Sequence, residues 1–536
     1  MKFRYDKETE EIVVSEATRI EYHQMDLWLS RHVKGYRYMP AFKMGVWNGQ
    51  QSYFKDGRIN IGLWKEALKG CKEIGAPFIL ENKEDFPLNR DVTLEKVQDF
   101  CEEFFKEHKV MKKDGTWVPF MPYQHQIESA YKILKNRYCM AEVATSGGKS
   151  LIISIVMFYT LRYSDPKAKF LIIVPSITLV TQFYDNVVEY NYGINNLMEM
   201  RDKKIDHIIS GTHVPFDLRV EEVMSERPRK HTGKQDANVY IGTYQSLEKW
   251  PKEFFDQFHT VITDEAHGAK AKTMLSILKR TFGKAYSRFG VSGTFPEDDT
   301  CEILTIQSVL GPKITEVSAD ELKKKGIISA MEVKAVIMNH NDLEFADKME
   351  QIRKGGYGKE AFQIEKEYIH VSDKRLEFIK KIVTKCESNT LLLFHTIEYG
   401  QKIMNKLSKE LPDKEFYYID GGISGKKRED IKKEMENTDG KVRVLVASYG
   451  TLSTGVSINA IFYIIFADSF KSEIVIRQSI GRGLRKHKDK DKVVVFDITD
   501  IFNKKSGVGM LYNHSKARKK IYDEQNYEYK DMNISL

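Results

Sequence analysis

Short apolar runs alternate with amphipathic helical patterns between about residues 120 and 295 of the chain. The runs are rich in β-branched residues, end in polar or glycine turns, and cover residues 170–176, 237–243, 259–265 and 287–294. Between them lie stretches such as ITLVTQFYDNVVEY, whose apolar residues recur at the spacing of one helical face. Strands and helices that alternate in this way predict a parallel sheet flanked by helices.

A second series of the same kind follows, with apolar runs at 389–396, 414–421, 441–448, 460–468 and 492–499. Two α/β units of similar size are therefore predicted, with a hinge near KKKGIISA at 323–330 and a surface insertion at 194–236. The predicted fold class is α/β, with two tandem parallel-sheet domains, a small N-terminal α+β domain and a short C-terminal helical tail. The predicted domain boundaries are 1–95, 96–322, 323–502 and 503–536.

Composition is consistent with a globular chain, since 41% of its 536 residues are hydrophobic and 30% are charged. The longest apolar run, LIISIVMFYTL at 151–161, is too short to span a bilayer and predicts a buried helix. The N-terminal MKFRYDKETEEIVV contains no apolar signal-peptide region. A cytoplasmic protein without a disulfide framework or zinc ribbon is expected, because no C-x-x-C pair occurs among Cys71, Cys101, Cys139, Cys301 and Cys386.

Basic residues are concentrated in two segments, although the net charge is only +8. Residues 31–58 contain six Lys or Arg against Asp56 alone, and residues 471–492 contain eight against three acids. Basic patches of this kind attract polyanions such as nucleic acid. On charge alone, however, a merely solvated basic surface explains them equally well.

The octapeptide VATSGGKS at 143–150 differs from the phosphate-loop pattern G-x-x-x-x-G-K-[ST] only in having Val143 at the first glycine. It follows a predicted strand, RYCMAEVA, and precedes the apolar helix, which is the context that such a loop requires. There the backbone N–H groups bind phosphates, Lys149 neutralises their charge and the Ser150 hydroxyl ligates Mg²⁺. The candidate nucleotide-binding residues are Thr145, Ser146, Gly147, Gly148, Lys149 and Ser150.

A pair of carboxylates ends the predicted strand in VITDEAHG. Asp264 is suited to holding Mg²⁺ and Glu265 to polarising an attacking water. An acidic strand end followed by a helix cap would explain the pair in isolation, but its combination with GKS on one parallel sheet favours nucleotide hydrolysis. SGT at 292–294 follows the next predicted strand, where it would couple the phosphate site to the second domain.

GGKS, DEAH and SGT, in this order and spacing, resemble motifs I, II and III of superfamily 2 helicases. In that family the first loop glycine is routinely absent. The resemblance implies two RecA-like domains that bind ATP with Mg²⁺. MPYQHQ at 121–126 resembles the adenine motif of the family, with Gln124 as the base reader, although Tyr123 also fits a core aromatic residue.

Two segments of the second predicted domain resemble motifs V and VI of the family. QSIGRGLR implies that Arg482 and Arg485 act as arginine fingers and that Gln478 contacts the γ-phosphate or the water. Without the other motifs, two exposed arginines on a basic helix would explain this segment. ASYGTLSTGVSI implies close approach of Gly455 to the nucleotide, and Ser457 replaces an acidic ribose contact of many relatives, which loosens nucleotide selectivity.

Several loops resemble elements that grip the nucleic-acid backbone in this family, namely VPSITLVTQ, GTYQSL, FHT, GISGKKR and motif V. Contacts to the backbone position the protein but carry no sequence information. The residues implied are Pro175, Ser176, Thr243, Gln245, His395, Ser448 and Thr451.

The likeness is closer still to the UvsW-type helicases of T-even-like phages, over the N-terminal run DLWLSRHVKGYRYMPAFKMGVWNGQQSYF, TSGGKS, SYGTLSTGVSI, RQSIGRGLRKH and the C-terminal YDEQNYEYK. It implies an ATP-dependent helicase that unwinds branched DNA and R-loops and drives branch migration in recombination and replication. The expected partners are forked or Holliday-junction DNA, RNA–DNA hybrids and phage recombination or replication proteins in the host cytoplasm, with no membrane.

The N-terminal segment combines its basic residues with aromatic ones, on which bases can stack. Arg37, Lys43 and Trp47 are the candidate DNA contacts, although a small domain also needs aromatic residues for its own core. Two other functions remain open for the whole chain: the motor subunit of a restriction system, and a nucleic-acid-binding protein in which ATP only switches affinity. RNA is a possible substrate as well, because backbone contacts do not distinguish the sugars.

Overall fold

The structure is a computed structural model of the chain. It describes residues 1–87, 90–106, 108–111, 117–192, 220–223, 237–437, 439–453, 458–468, 480–481, 490, 492–502 and 509–536. These residues form two compact units, Met1–Val143 with Gly148–Val317, and Ala144–Gly147 with Ser318–Leu536. Within the described ranges, every helix is too short or too polar to cross a lipid bilayer.

The N-terminal part of the first unit is a small α+β structure, as the sequence predicts. Its elements are β1 (Lys2–Asp6), β2 (Glu11–Ser15), α1 (Arg19–Trp28), β3 (Ser30–His32), α2 (Pro40–Lys43), β4 (Gln50–Ser52), β5 (Arg58–Asn60), α3 (Trp64–Glu73) and β6 (Ile79–Leu80). Four strands form a sheet in the order β5-β2-β1-β6, and β3 pairs with β4. The alternation in KFRYD and EIVVS buries one face of this sheet, which carries Phe3, Tyr5, Ile12 and Val14.

A seven-stranded sheet is the core of the first unit. After the small pair β7 (Lys109–Met111) and β8 (Trp117–Pro119), its strands are β9 (Tyr138–Val143), β10 (Phe170–Val174), β11 (Val220–Val223), β12 (Val239–Thr243), β13 (Thr260–Asp264), β14 (Ser287–Ser292) and β15 (Lys313–Val317). All neighbours are parallel, in the order β11-β12-β10-β13-β14-β9-β15. The predicted strands of this unit are therefore confirmed.

Helices surround this sheet. They are α4 (Leu94–Phe105), α5 (Gln124–Lys135), α6 (Lys149–Tyr163), α7 (Ile177–Tyr192), α8 (Tyr244–Leu247), α9 (Lys272–Arg280) and α10 (Cys301–Leu310). Short 3₁₀ turns lie at Tyr36–Tyr38, Ile61–Leu63, Lys83–Asp85, Lys252–Gln257 and Ala266–Lys270. The predicted buried helix is confirmed, because every residue of α6 from Leu151 to Leu161 is buried, as expected for a helix that is apolar on all sides.

The N-terminal part is fixed to the large sheet by contacts within the first unit. Glu10 and Arg288 form a fully buried ion pair, and Arg288 Nη1 donates to Glu10 Oε1 at 2.9 Å. The Gly283 N–H donates to the same carboxylate oxygen at 2.8 Å. Tyr53 adds a hydrogen bond of 2.6 Å from its hydroxyl to the carbonyl of Cys301 on α10. These buried polar contacts make the N-terminal part an integral piece of the first unit.

The second unit contains another seven-stranded parallel sheet. Its strands are β16 (Ala330–Asn339), β17 (Thr390–Phe394), β18 (Glu415–Ile419), β19 (Arg443–Ser448), β20 (Tyr463–Phe466), β21 (Lys492–Ile501) and β22 (Glu528–Ser535), in the order β18-β19-β17-β20-β21-β16-β22. The helices are α11 (Ala319–Lys324), α12 (Leu343–Lys354), α13 (Gly358–Val371), α14 (Asp373–Thr384), α15 (Ile397–Glu410), α16 (Gly425–Glu436), α17 (Tyr449–Ser453) and α18 (Met510–Glu524).

The C-terminal segment contains the expected helix, α18, and in addition the strand β22. β22 pairs in parallel with β16 over eight residues at the sheet edge. Around the predicted hinge, α11 ends at Lys324 and β16 begins at Ala330, while the division between the two units falls between Val317 and Ser318. Of the predicted insertion at 194–236, only residues 220–223 are described, and they form the edge strand β11.

Candidate functional site

The loop between β9 and α6 carries GGKS, and Gly148 is the N-cap of α6. Gly148 has a φ of 82°, in the left-handed region that favours glycine. A Cβ atom added there would lie 2.1 Å from Nε2 of Gln126 on α5. Gln126 is buried, and its Oε1 accepts a hydrogen bond of 2.9 Å from the Tyr123 N–H. This loop position therefore favours glycine, because any other residue would be strained at this φ and would displace the amide of Gln126.

Lys149 and Ser150 follow at the N-terminus of α6. Lys149 Nζ lies 4.0 Å from Glu265 Oε1. The Ser150 hydroxyl accepts a hydrogen bond of 3.2 Å from Nδ2 of Asn186 on α7. The N–H groups and dipole of a helix N-terminus favour an anion, and the Lys149 ammonium adds a full positive charge. This end of α6 is therefore suited to binding phosphate.

Asp264 is the last residue of β13 and is buried. Its burial, together with the neighbouring carboxylate of Glu265, raises the pKa of Asp264 to about 7. Asp264 Oδ1 is buried and accepts no hydrogen bond from any residue that the structure describes. A carboxylate oxygen removed from water without a partner is costly unless a cation compensates it. The environment of Asp264 therefore fits a metal ligand.

Glu265 is held in place by residues of the DEAH and SGT segments. Its φ of 50° is unusual for a residue with a side chain. His267 Nδ1 lies 3.3 Å from Glu265 Oε2 and 2.9 Å from Ser292 Oγ. The Ser292 hydroxyl donates to the carbonyl of Thr294 at 2.8 Å. Hydrogen bonds thus join the two segments within the first unit.

All of these groups lie at one edge of the first sheet, because β9, β14 and β13 are neighbours and end there. Open α/β sheets bind ligands outside the carboxyl ends of their strands. Among the residues described, no group of three His, Cys, Asp or Glu side chains is placed to hold a metal. One carboxylate and one hydroxyl instead suit Mg²⁺, which keeps several waters and binds together with substrate phosphates.

The other predicted nucleotide residues differ in their surroundings. Gln124, the predicted base reader, is exposed at the start of α5, and its Nε2 donates to Glu128 Oε1 at 3.0 Å. Residues 145–147 are grouped with the second unit, in which the Ser146 hydroxyl donates to the carbonyl of Gly481 at 3.0 Å. Four predicted residues lie outside the described residues: Gly455, Gln478, Arg482 and Arg485.

In the first unit, two of the predicted nucleic-acid contacts cap helices. The Ser176 hydroxyl accepts from the Leu179 N–H at 3.4 Å, at the start of α7. Thr243 is buried and caps α8, where its hydroxyl accepts from the Ser246 N–H at 3.2 Å. Pro175 is half-buried and Gln245 is exposed. Gln245 therefore has the most accessible side chain among the residues predicted for these two loops.

The second unit contributes three predicted contacts. Ser448 ends β19 and Thr451 lies in α17, and their hydroxyls are 2.7 Å apart. His395 follows β17 and is exposed, while its backbone N–H donates to Asp468 Oδ2 at 3.2 Å. Two of the loops predicted to grip nucleic acid therefore begin at neighbouring strands of one sheet.

Asp468 links these two loops. Its backbone carbonyl accepts from the Tyr449 hydroxyl at 3.1 Å, and its Oδ2 lies 3.2 Å from His370 Nε2. Burial alone would raise its pKa, but the hydrogen bond with His370 and the charge of Arg375 outweigh burial and hold the pKa below its ordinary value. A buried, ionised carboxylate thus fixes the positions of the loops that follow β17 and β19.

The side chains of the basic N-terminal segment divide into aromatic residues that belong to the core and the three predicted DNA contacts. Phe54 is buried and Tyr53 contacts α10, so both serve the core of the first unit. Arg37 and Lys43 are exposed, whereas Trp47 is half-buried and its Nε1 donates to the carbonyl of Gln50 at 2.7 Å. Of the three predicted DNA contacts, the two cations are therefore the more accessible.

Three residues of the candidate site were not expected from the sequence: Gln126, Asn186 and His267. Gln126 is the second glutamine of MPYQHQ and His267 is the last residue of DEAH, so both stand inside quoted motifs. Asn186 belongs to no motif. Its role depends on α7 passing beside the N-terminus of α6, which residue spacing does not reveal.

Two family models match the chain. Residues 123–303 match the DEAD/DEAH box helicase family and residues 374–487 match the helicase conserved C-terminal domain. The ATP-dependent DNA helicase uvsW of Enterobacteria phage T4 is 28% identical over 534 residues, which cover 96% of this chain and 96% of that protein. The predicted resemblance is therefore confirmed, and it extends well beyond the two matched domains.

Solved structures support the same fold. The type ISP restriction-modification enzyme LlaBIII bound to DNA aligns with a TM-score of 0.54 at 13% identity, covering 91% of this chain and 36% of that one. Dbp5 of S. cerevisiae, bound to RNA and ADP BeF3, aligns with a TM-score of 0.50 at 15% identity, covering 77% of this chain and 90% of that one. At these identities the likeness concerns the fold alone.

Proposed function

Because the chain belongs to the DEAD/DEAH-box helicases and hydrolyses ATP, we propose that it is a DNA helicase that unwinds branched DNA and R-loops and drives branch migration. The observation that carries the choice of DNA is the 28% identity to a phage DNA helicase over 96% of both chains. This similarity includes the N-terminal part, which lies outside both helicase family models. The N-terminal part is therefore expected to serve the same substrate.

For ATP hydrolysis, Lys149 and the N-terminus of α6 bind the β- and γ-phosphates. Asp264 and Ser150 would hold Mg²⁺, which would neutralise phosphate charge, and the unpaired Oδ1 of Asp264 fits that role. Glu265 orients the attacking water, and His267 fixes the carboxylate of Glu265 at 3.3 Å.

Residues of the other motifs complete the proposed nucleotide site. Gln124 reads the adenine, residues 145–148 bind phosphate through their backbone, and Gly455 allows close approach of the nucleotide. Arg482 and Arg485 stabilise charge on the transferred γ-phosphoryl group, and Gln478 contacts the γ-phosphate or the water. Ser457 in place of an acidic residue leaves the ribose less strictly read.

The proposed nucleic-acid contacts are to the sugar–phosphate backbone. They come from Gln245 and the helix-capping loops of the first unit, and from the loops that Asp468 links in the second. Arg37, Lys43 and Trp47 add the N-terminal contribution. The backbone contacts do not distinguish DNA from RNA, so R-loops and RNA–DNA hybrids are included among the substrates.

A restriction-system motor is the second candidate, because the fold matches that of LlaBIII. That likeness concerns the fold alone, and the chain covers only 36% of that protein. Cleavage of DNA, or dependence on a methylase partner, would favour this alternative. A protein in which ATP only switches affinity would bind the same DNA without displacing a strand.

The test measures ATP hydrolysis and strand displacement on four substrates of matched sequence: a duplex, a fork, a four-way junction and an R-loop. We expect hydrolysis to be stimulated by all nucleic acids and displacement to be fastest on the branched substrates and the R-loop. Lys149→Ala and Asp264→Asn should abolish hydrolysis while leaving DNA binding largely intact, because these side chains act on phosphate and metal. Near-normal turnover in either variant would contradict the site, and hydrolysis without displacement would contradict helicase action.

A further inference from the structure

One short segment of the N-terminal part contains the three proposed N-terminal contacts, Arg37, Lys43 and Trp47, together with exposed residues that have been given no role. Residues 33–49 connect β3 to β4, and we call this connection the knob. From Leu27 to Lys55 the chain contains no acidic residue. Three cationic side chains of the knob, those of Lys34, Arg37 and Lys43, are exposed. The knob therefore has a positive surface.

The base of the knob is held by aromatic packing. Tyr36 stacks on His32 with ring centroids 4.3 Å apart and meets Phe42 edge-on at 4.8 Å. Gly49 has a φ of 81°, and a Cβ atom added there would lie 2.1 Å from Cδ2 of Tyr36. Trp47 is anchored by its hydrogen bond to Gln50. These contacts specify one conformation, so the knob is a formed structure.

The tip of the knob, in contrast, is apolar and exposed. Tyr38 is 81% exposed, Met44 is 69% exposed and Val46 is 74% exposed. Exposed single apolar residues are common, whereas three on one short segment that also carries exposed cations make it a candidate binding surface. Arg37 precedes Tyr38 in the chain, and its guanidinium lies over the ring of Tyr36, 5.6 Å from the ring centroid. The knob therefore combines an exposed aromatic ring, that of Tyr38, with exposed positive charge.

This chemistry matches a base that has an exposed face and lies next to phosphates. Within a continuous duplex, base faces are covered by their neighbours, whereas the last base pair at a fork or junction exposes one face. We propose that Tyr38 stacks on the base pair at the point where the strands of branched DNA separate, while Lys34, Arg37 and Lys43 contact the adjacent phosphates. This inference rests on the proposed DNA-helicase function and names a structure-sensing element for it.

An anionic membrane would also attract a cationic, apolar surface. Stable interfacial binding, however, generally uses an amphipathic helix with a long apolar face. The helical elements of the knob are Tyr36–Tyr38 and Pro40–Lys43, of three and four residues. Nucleic acid is therefore the ligand that the observations favour, and vesicles become one arm of the test.

The experiment compares two DNAs of the same sequence, a forked duplex and a dumbbell duplex closed at both ends by hairpin loops. The loops are tight hairpins whose own bases stack on the closing base pairs, so the dumbbell presents no free end and no uncovered base-pair face, and stacking by Tyr38 should matter only on the fork. We expect Tyr38→Ala to bind the fork about tenfold more weakly and the dumbbell within about twofold of the native protein. Tyr38→Trp should retain fork affinity, because a larger ring still stacks.

Tyr357→Ala is the matched control, since Tyr357 is 63% exposed and lies in the second unit. A 2-aminopurine at the first base pair of the fork reports stacking directly, and its fluorescence should change with the native protein and not with Tyr38→Ala. Thermal melting of each variant checks folding, which substitution of a largely exposed side chain should leave unchanged.

Equal loss on fork and dumbbell, no loss on either, or an equal effect of Tyr357→Ala would overturn the inference. So would Tyr38-dependent binding to phosphatidylserine vesicles without an effect on the fork. If the native protein failed to unwind any substrate, the proposed function would fail. If it unwound forks equally well with Tyr38→Ala, only the role of the knob would fail.

Discussion

Asp264 is a buried acidic side chain whose surroundings fit the proposed role of a cation ligand. Its carboxyl group is buried beside Glu265, and its pKa of about 7 lies above the ordinary value of 3.8. Between these two pH values the native protein binds more protons at this group than the unfolded chain does. The contribution of Asp264 to the free energy of unfolding therefore decreases as pH rises from about 4 to 7. A bound divalent cation would reverse this destabilisation.

The raised pKa of Asp264 predicts that nucleotide binding depends on pH. If Mg²⁺ binds at Asp264, it has to displace a proton there, so the apparent affinity for Mg²⁺-nucleotide should increase as pH rises from about 6 and level off above about 8. Titrations with a fluorescent ATP analogue at fixed ionic strength measure it. Glu265→Gln removes the neighbouring negative charge, so its curve should shift to lower pH. An affinity that did not vary with pH would contradict the proposed metal role of Asp264.

Arg482 and Arg485 are the residues for which the motif makes the sharpest kinetic prediction, although both lie outside the described residues. If each stabilises charge on the γ-phosphoryl group, Arg482→Ala and Arg485→Ala should each reduce ATP turnover by roughly 10³-fold, with a much smaller loss of nucleotide affinity. Turnover is measured at saturating DNA. A loss confined to DNA affinity, with turnover preserved, would make them backbone contacts.

At the scale of elements, the sequence predicted those buried strands whose apolar runs are long and end in clear turns. It did not predict β15, which is short and mixed in polarity, or β16, which directly follows the predicted hinge. It also did not predict β22, since EYKDMNIS forms an almost fully exposed edge strand. In the candidate site, the sequence named the residues that belong to a motif, such as Lys149 and Asp264. Contacts between distant elements, such as the Asn186 hydrogen bond to Ser150, depend on packing that no local pattern encodes.

The buried ion pair Glu10–Arg288 is a second contact between distant elements, and it is expected to stabilise the first unit. Glu10→Gln leaves the fully buried guanidinium without a counter-charge, so the first unit should lose about 3–5 kcal/mol of unfolding free energy. Glu11→Gln is the matched control, because the adjacent Glu11–Arg58 pair is partly exposed and should contribute at most about 1 kcal/mol. Denaturant unfolding measures both variants. Similar losses of unfolding free energy in the two variants would show that the buried ion pair stabilises the protein no more than the exposed one does.

At the scale of the whole molecule, the N-terminal part cannot be treated as separable from the rest of the first unit. Removing residues 1–95 would expose α10 and leave Arg288 without Glu10, so a truncated protein is expected to be unstable for reasons unrelated to DNA. The predicted contribution of the N-terminal part to branched-DNA binding is therefore better tested in the full-length chain, by changing charge without disturbing its buried contacts.

The variant Lys34→Ala, Arg37→Ala, Lys43→Ala removes the three exposed cations of the knob. If all three contact phosphates, the dependence of log affinity on log salt should become shallower by roughly 2.7, because each lost contact removes about 0.9 from the slope. Lys72→Ala, Lys83→Ala, Lys167→Ala is the matched control, since it removes the same charge from other exposed positions of the first unit. Affinities for a four-way junction and a plain duplex are measured over the same salt series.

An equal loss of affinity for both DNAs would make the knob cations a general anchor, and the preference for branches would then depend on the tip. A slope equal to that of the control variant would leave the N-terminal part with the structural role that its buried contacts already establish.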